Sequence, residues 1–297
     1  MGEVYLAGAP RGKHAAVKFL RAELADDPEV VARFRREAKI ASALRSPHVA
    51  SVLDAGKTRG GELWIAFEYL EGESLAERLK REGALHITEV AWIGDHVLQG
   101  LWAAHAAGVV HRDIKPGNIF LVAATKPKAR CAKILDFGVS KSGAAMGTTD
   151  DALTALDATL GSFSYMPPEQ IGGSALVDAR ADLYSFGVVV FAAMSGSLPF
   201  AGSTSSEQVY FKRTSDPLTL ADVTGETWPA AMETFVRRIL ARDAKKRFEN
   251  AATAREAWAR SSAAKGFPNL SARFKRGAGA NASAGTGSTG SDGTEAS

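Results

Sequence analysis

The chain has 297 residues, of which 45% are hydrophobic and 23% are charged, and its formal net charge is +3. This composition is that of a globular protein large enough for two lobes, and the small net charge gives no reason to expect a nucleic-acid partner. Cys131 is the only cysteine, which excludes an intrachain disulfide and favours a reducing compartment, so we expect a cytoplasmic protein.

The first part of the chain is predicted to be rich in strands. Two apolar runs at 4–7 and 15–20 flank the turn-forming sequence GAPRGKH, a pattern that predicts a β-hairpin. Apolar residues then recur at helical spacing over 29–44, which predicts an amphipathic helix. Two further strands are predicted near 49–55 and 63–69.

The remainder of the chain is predicted to be mainly helical. Ser74 is a candidate cap for a helix that runs to about Arg81, and a long helical pattern follows Thr88 and ends near Gly108. Further helical patterns cover 182–195, 205–213, 229–241 and 251–262. We see neither a signal peptide nor an apolar run long enough to cross a bilayer, so no membrane segment is expected.

The C-terminal residues differ in composition from the rest. We predict a basic linker over 264–276 and a disordered Gly/Ala/Ser/Thr tail over 277–297. The tail has almost no large apolar residue, so it cannot offset the entropy that ordering would cost.

The sequence HRDIKPGN at 111–118 combines three side chains that suit phosphoryl transfer. The carboxylate of Asp113 can orient an attacking hydroxyl and accept its proton, and Lys115 can balance charge on the transferred group. An oxygen of Asn118 can bind Mg²⁺, as can Asp136 of the later sequence DFG, because this hard cation prefers oxygen ligands.

Two upstream residues fit the same chemistry. Lys18 ends the predicted second strand and can bind phosphate oxygens, while Glu37 lies in the next helix and can hold that lysine in place. Taken alone, Lys18 is an ordinary solvated lysine and Glu37 an ordinary polar residue of a charged helix. The later sequences around Asp113 and Asp136 decide for the functional interpretation.

In this order, the motifs resemble those of a protein kinase catalytic domain of the eukaryotic-like serine/threonine type found in bacteria. The resemblance covers about 2–263. It implies an α+β, two-lobed fold, with a small β-rich lobe at about 1–70 that lacks its first strand and a larger helical lobe at about 71–263. It also implies a non-specific serine/threonine protein kinase that uses ATP and Mg²⁺ and acts on protein substrates.

The resemblance implies further roles, position by position. Around the nucleotide it places the side chains of Val4 and Ala16 above the adenine, Phe120 below it, Phe67 at the back pocket, the backbone of Glu68 and Leu70 at the adenine edge, Ser74 at the ribose and Gly2 at the phosphates. It makes Asp182 a brace for the HRD backbone and pairs Glu169 of the PPE sequence with Arg247. His111 is expected to be structural.

The segment 138–162 resembles a kinase activation segment, although a polar connector is the simpler alternative. It contains Thr154 and Thr159, which we expect to be autophosphorylated, and a transient dimer is compatible with that reaction. Arg112 is expected to pair with the phosphate. Ser162 replaces a threonine usual in the family and keeps its hydroxyl for contact with Asp113.

The largest departure from the family concerns the glycine-rich loop. The chain begins MGEV, so only its third glycine, Gly2, and the following Val4 match the pattern. One hypothesis is that Met1 is an internal residue of a longer natural protein, which intact-mass measurement would test. The alternative function is a catalytically impaired pseudokinase or signalling scaffold.

Overall fold

The computed structural model describes residues 2–9, 13–124, 130–137, 163–171, 177–200, 202 and 204–270. The strands in this part of the chain are β1 (Gly2–Ala9), β2 (Lys13–Leu20), β3 (Val52–Lys57), β4 (Leu63–Glu68), β5 (Gly72–Ser74), β6 (Ile119–Val122) and β7 (Cys131–Ile134). The α-helices are α1 (Pro28–Ala43), α2 (Leu75–Glu82), α3 (Ile87–Ala106), α4 (Pro168–Ile171), α5 (Arg180–Ser195), α6 (Ser205–Thr214), α7 (Leu220–Thr224), α8 (Ala230–Ile239) and α9 (Ala251–Ser262).

The N-terminal strands form one antiparallel sheet in the order β1-β2-β4-β3. Val4 lies opposite Lys18, Lys18 opposite Ile65, and Ala16 opposite Phe67. Because opposed residues share a face and side chains alternate along a strand, these five residues all lie on one face of the sheet. The predicted hairpin and the predicted pair of later strands are confirmed.

Within the described residues, β1 is an edge strand of this sheet with an apolar surface that remains uncovered. Val4 is 64% exposed and Leu6 is 61% exposed, although both lie on the face that carries Lys18. In the described part of the chain, β1 therefore presents an unpaired strand edge beside exposed apolar side chains.

Helix α1 packs across the sheet and brings one polar residue into the interior. Asp27 caps the helix by accepting the backbone N–H groups of Glu29 and Val30. Phe34 packs with Leu20 and Ile65 in the small core between helix and sheet. Glu37 lies one turn beyond Phe34 on the same buried face, so the helix directs its carboxylate toward the sheet.

A second antiparallel sheet, β5-β6-β7, was not predicted from the sequence. Its strands have only three or four residues each, too few to show a period. Ile119 pairs with Ile134, so the residue before β6 and the residues after β7 lie at the same end of the sheet. The backbone N–H of Leu135 donates to the carbonyl oxygen of Asn118 at 2.8 Å.

The C-terminal lobe is built around α5, whose side chains are buried on every face. This explains its apolar sequence, since a helix surrounded by protein needs no polar stripe. Helix α9 packs against α3, where Trp258 is almost fully buried and donates its indole N–H to the carbonyl oxygen of Ala91 at 3.1 Å. In the described residues, no helix combines the length and apolar character needed to cross a membrane. The predicted two-lobed α+β fold is confirmed.

Residues that follow α9 also pack on the helical lobe. Phe267 makes an edge contact with Trp228 at a ring-centroid distance of 6.0 Å, and Leu270 is only 6% exposed. These two apolar side chains, which lie within the predicted linker 264–276, pack on the core of the helical lobe. The predicted tail at 277–297 lies outside the described residues.

Gly100 of α3 provides a test of how tightly the two lobes are joined. A Cβ at this position would lie 2.7 Å from the carbonyl oxygen of His48, which already accepts the N–H of Ile134 at 2.9 Å. We expect Gly100→Ala to lower the free energy of unfolding by about 1–3 kcal/mol through overpacking, measured by thermal denaturation. Gly8→Ala is the control, because among the described residues, chain neighbours apart, no atom lies within 4 Å of its added Cβ. Equal midpoints for both variants would contradict this view of the contact.

Candidate active site

The centre of the site is a lysine placed between two carboxylates. Nζ of Lys18, at the middle of β2, lies 2.7 Å from Oε1 of Glu37 on α1 and 3.2 Å from Oδ1 of Asp136, which follows β7. Lys18 is 8% exposed and Glu37 is 4% exposed, whereas the side chain of Asp136 is 48% exposed. The structure therefore brings together three residues that are far apart in the sequence, with Asp136 on the solvent side.

The ionisation of this cluster is set by burial and by its opposite charges. Burial lowers the pKa of Lys18, but the carboxylates of Asp136 and Glu37 outweigh burial and hold that pKa above its usual value. Burial raises the pKa of Glu37, and the nearby ammonium of Lys18 opposes this rise only in part. Lys18 is therefore held in its protonated form, and its positive charge favours the ionised form of Glu37 against the effect of burial.

A second cluster lies in the loop before β6. Nζ of Lys115 is 2.9 Å from Oδ2 of Asp113. The side-chain amide of Asn118 donates to the backbone carbonyl of Asp113 at 2.8 Å and to its carboxylate at 3.1 Å. Because the amide nitrogen faces Asp113, the amide oxygen of Asn118 is directed away from it. The backbone hydrogen bond between Leu135 and Asn118 brings Asn118 next to the residue that precedes Asp136.

Asp182 of α5 fixes the backbone of this loop. Its carboxylate accepts the N–H of His111 at 2.8 Å and the N–H of Arg112 at 2.7 Å, and it lies 2.8 Å from Nε2 of His105. Asp182 is fully buried, so its charge is satisfied by these donors rather than by water. Arg112 has a φ of 65°, a strained conformation that the two hydrogen bonds from the loop to Asp182 stabilise.

His111 is a structural residue, as predicted. Its Nδ1 accepts the N–H of Asp113 at 3.2 Å, so Nε2 carries the proton and donates to the carbonyl oxygen of Leu135 at 2.9 Å. The ring also packs on Phe137 at a centroid distance of 4.8 Å. With both nitrogens bonded to backbone, the imidazole has no free position for acid or base chemistry.

The residues expected around a nucleotide are distributed over both sheets and the segment that joins them. Val4, Ala16 and Phe67 share the face of the N-terminal sheet that carries Lys18. Phe120 lies opposite Ser74 in the second sheet. Gly2 lies at the start of β1, opposite Leu20, and Leu70 lies between β4 and β5.

Two of these residues already have partners that limit their contacts. The N–H of Glu68 donates to the carbonyl oxygen of Ser51 at 2.9 Å, so Glu68 can offer only its backbone carbonyl to a ligand. The hydroxyl of Ser74 forms a capping box with Glu77 at the start of α2. The predicted helix cap is confirmed, and a ribose contact by this hydroxyl remains a prediction.

Sequence reasoning missed a residue that holds the end of β4, next to the segment 69–71 that joins β4 to β5 and is called the hinge below. Nζ of Lys133 on β7 lies 2.6 Å from Oε1 of Glu68, and the same oxygen accepts the N–H of Ser51 at 2.8 Å. Lys133 lies opposite Phe120 in the second sheet, so both side chains are on the face from which Lys133 reaches Glu68. To predict this contact from the sequence, one would first have to recognise the four residues of β7 as a strand.

The predicted ion pair of the helical lobe is present. Arg247 donates to the two carboxylate oxygens of Glu169 at 2.6 and 2.8 Å, and its side chain is fully buried. The guanidinium also lies 4.7 Å from the ring centroid of Tyr184. Ser162, Thr154 and Thr159 lie outside the described residues.

Chemically, the two clusters offer groups of the kind that bind a polyanion and a divalent cation. Lys18 supplies a buried positive charge, and the oxygens of Asn118 and Asp136 are hard donors near the same end of the second sheet. Asp113 supplies a carboxylate that contacts Lys115 and Asn118, and Asn118 also binds the backbone carbonyl of Asp113. The oxygen-only donor set fits Mg²⁺ bound jointly with phosphate groups.

Comparison with known proteins agrees with this geometry. The model of the protein kinase domain family matches residues 1–259. The chain is 43% identical over 208 residues to serine/threonine-protein kinase pkn3 of Myxococcus xanthus, an alignment that covers 69% of this chain and 37% of that protein. It is 35% identical over 259 residues to serine/threonine-protein kinase PknB of Mycobacterium tuberculosis, covering 86% of this chain and 40% of that protein.

A solved structure shows the same architecture. The kinase domain of Mycobacterium tuberculosis PknI superposes with a TM-score of 0.65 at 28% identity, covering 88% of this chain and 91% of that one. The chain spans about two fifths of the length of the curated relatives named above. The matched family model, which covers most of the chain, shows that the chain belongs to the protein kinase domain family.

Proposed function

We propose that this chain transfers the γ-phosphoryl group of ATP to serine and threonine hydroxyls of protein substrates, in a reaction that depends on Mg²⁺. One observation carries the proposal: Nζ of Lys18 lies 2.7 Å from Glu37 and 3.2 Å from Asp136, while Asp113 is held in the adjoining loop. A lysine, two oxygen donors for a cation and a positioned carboxylate are the parts that this reaction needs.

Each residue has a separate task in the proposed reaction. Lys18 binds phosphate oxygens and Glu37 fixes the direction of its ammonium. Asp113 orients the acceptor hydroxyl and takes its proton as the oxygen–phosphorus bond forms. The bond between the γ-phosphorus and the bridging oxygen breaks, and ADP leaves. Lys115 balances charge on the transferred group.

Asn118 and Asp136 would hold the magnesium ion. Bound there, Mg²⁺ would neutralise part of the negative charge of the phosphates. For the nucleotide base, we propose that Val4 and Ala16 lie above the ring and Phe120 below it, with Phe67 behind. The carbonyl of Glu68 and the N–H of Leu70 would bind the adenine edge.

The test of this function uses ATP labelled in one of two positions. The chain is incubated with Mg²⁺ and myelin basic protein, together with ATP that carries ³²P in the α or in the γ phosphate. We expect label in the protein from γ-labelled ATP only, and no transfer when Mg²⁺ is removed by chelation. No transfer from either nucleotide would favour the scaffold alternative.

We also propose that the chain phosphorylates its own segment 138–162, at Thr154 or Thr159. Two copies would meet transiently, so the initial rate per molecule should rise with protein concentration. A rate per molecule independent of concentration would show that no second copy is needed. Mass spectrometry of the purified protein after incubation with Mg²⁺ and ATP identifies the modified residues.

Glu37→Gln should lower the kcat/KM for ATP without changing the site that binds the acceptor. Loss of the carboxylate removes a charged hydrogen bond of about 1.5–3 kcal/mol, so we expect kcat/KM for ATP to fall roughly 10- to 100-fold. Glu29→Gln on the same helix is the control, because Glu29 is an exposed residue paired only with Arg33 at 2.7 Å in the described part of the chain. Equal kinetics for both variants would show that Glu37 does not position Lys18.

A further inference from the structure

Lys212 of α6 is a buried lysine that the proposed chemistry does not use. It is 2% exposed, and in the described residues no carboxylate lies within ion-pairing distance of its ammonium. Burial lowers the pKa of Lys212 to about 7, a measure of how unfavourable a charge is at this position. A lysine in such a place needs an explanation in terms of what its ammonium binds.

The ammonium binds the backbone of one short segment. Nζ of Lys212 donates to the carbonyl oxygens of Phe163, Ser164 and Met166 at 2.6, 2.7 and 2.9 Å. An ammonium has three N–H donors, so these three acceptors use all of them. An apolar side chain would remove this donor from all three carbonyl oxygens, and only that of Phe163 would keep a backbone partner, the N–H of Met166 at 3.1 Å, among the backbone hydrogen bonds outside helices and strands of the described residues. The contact therefore fixes the course of the backbone over residues 163–166.

A second side chain of α6 holds the same segment. Gln208, one turn before Lys212, accepts the hydroxyl of Ser164 at 2.8 Å. The segment has a small apolar core of its own, in which the buried side chains are Phe163 and Met166. Its conformation thus depends on two polar anchors from α6.

The anchored segment adjoins the loop that carries Asp113. It is followed directly by α4, where the side chain of Gln170 donates to the backbone carbonyl of Arg112 at 2.9 Å. Arg112 precedes Asp113, so residues 163–166 lie between α6 and the loop in which the acceptor hydroxyl must be placed. Through Gln170, the anchored segment is therefore linked to the loop at which the proposed acceptor hydroxyl would bind.

We propose that Lys212, supported by Gln208, is a positioning residue for the protein substrate, which it orients by fixing the backbone of 163–166. The inference rests on the proposed function. It assigns to α6 a role in acceptor binding that is separate from nucleotide binding, since Lys212 contacts neither Lys18, Asp136 nor the hinge.

The test compares Lys212→Met with Arg213→Met, which removes the same charge from the next, exposed residue of α6. We expect the KM for myelin basic protein to rise at least tenfold in Lys212→Met, as the loss of one charged anchor would give. The KM for ATP, and the rate of ATP hydrolysis without acceptor, should stay within about twofold of wild type, a separation that general destabilisation would not produce. Arg213→Met should match wild type throughout.

Gln208→Ala is a milder variant that tests the same role of α6 if Lys212→Met does not fold. It removes only the contact to Ser164, and we expect the KM for the acceptor to rise about threefold, the effect of a neutral hydrogen bond. An unchanged acceptor KM in every folded variant would overturn the role of Lys212 while leaving the proposed function intact. Absence of phosphoryl transfer in the wild type would instead overturn the proposed function itself.

Discussion

Asp113→Asn should lower kcat about 10³-fold and leave the KM for ATP within about twofold, because asparagine cannot accept the proton of the acceptor hydroxyl. The substitution preserves size and keeps an oxygen that can accept the amide N–H of Asn118, now 3.1 Å from the carboxylate. The fold should therefore persist, and the loss should be confined to the chemical step. Steady-state kinetics with myelin basic protein and ATP measure both parameters.

A second aspartate provides the matched control. Asp216→Asn makes the same chemical change at a side chain that is 97% exposed and lies 3.7 Å from Arg242, outside both clusters of the site. It should retain the kinetics of the wild type. A fall of less than tenfold in Asp113→Asn would mean that the proton goes elsewhere and that Asp113 only orients the hydroxyl.

Glu169→Ala should be among the most destabilising single changes in the helical lobe. The substitution leaves the guanidinium of Arg247 fully buried without its carboxylate partner. Removing one member of a buried ion pair costs about 3–5 kcal/mol, and a value near 3 is expected here because the side chain of Glu169 is 22% exposed and the backbone carbonyls of Ala241 and Arg180 still bind the arginine.

Chemical denaturation followed by circular dichroism measures this loss as a shift of the midpoint at constant slope. Glu256→Ala is the control, because Glu256 forms only an exposed pair with Arg260 at 4.0 Å, and such pairs contribute below about 1 kcal/mol. A loss of less than about 1 kcal/mol in Glu169→Ala would show that the carbonyl oxygens alone satisfy Arg247.

The sequence predicted those parts of the molecule that are encoded locally or by a family motif. Helix α1 was readable because its apolar residues recur over four turns, and the cap of α2 because Ser74 precedes Glu77 by three residues. The contact of Lys18 with Glu37 was predicted from the motif order. Its partner Asp136 was assigned to the metal, and the structure places it beside Lys18 as well.

What the sequence did not reveal depends on contacts between distant elements. Lys212 is the one lysine of a helix with little apolar pattern, and only the fold places it beside the carbonyl oxygens of Phe163, Ser164 and Met166. The direction of Lys133 depends on a four-residue strand. Leu270 follows the last helix, so its burial depends on a surface formed by earlier elements.

The central claim is that the clusters around Lys18 and Asp113 form one centre that moves a phosphoryl group to a hydroxyl. Tandem mass spectrometry of myelin basic protein after incubation with Mg²⁺ and ATP tests it most directly, with wild type and Asp113→Asn side by side. We predict phosphoserine and phosphothreonine in the wild-type reaction and almost none with the variant. Unmodified acceptor in the wild-type reaction, or equal modification by both proteins, would contradict the claim.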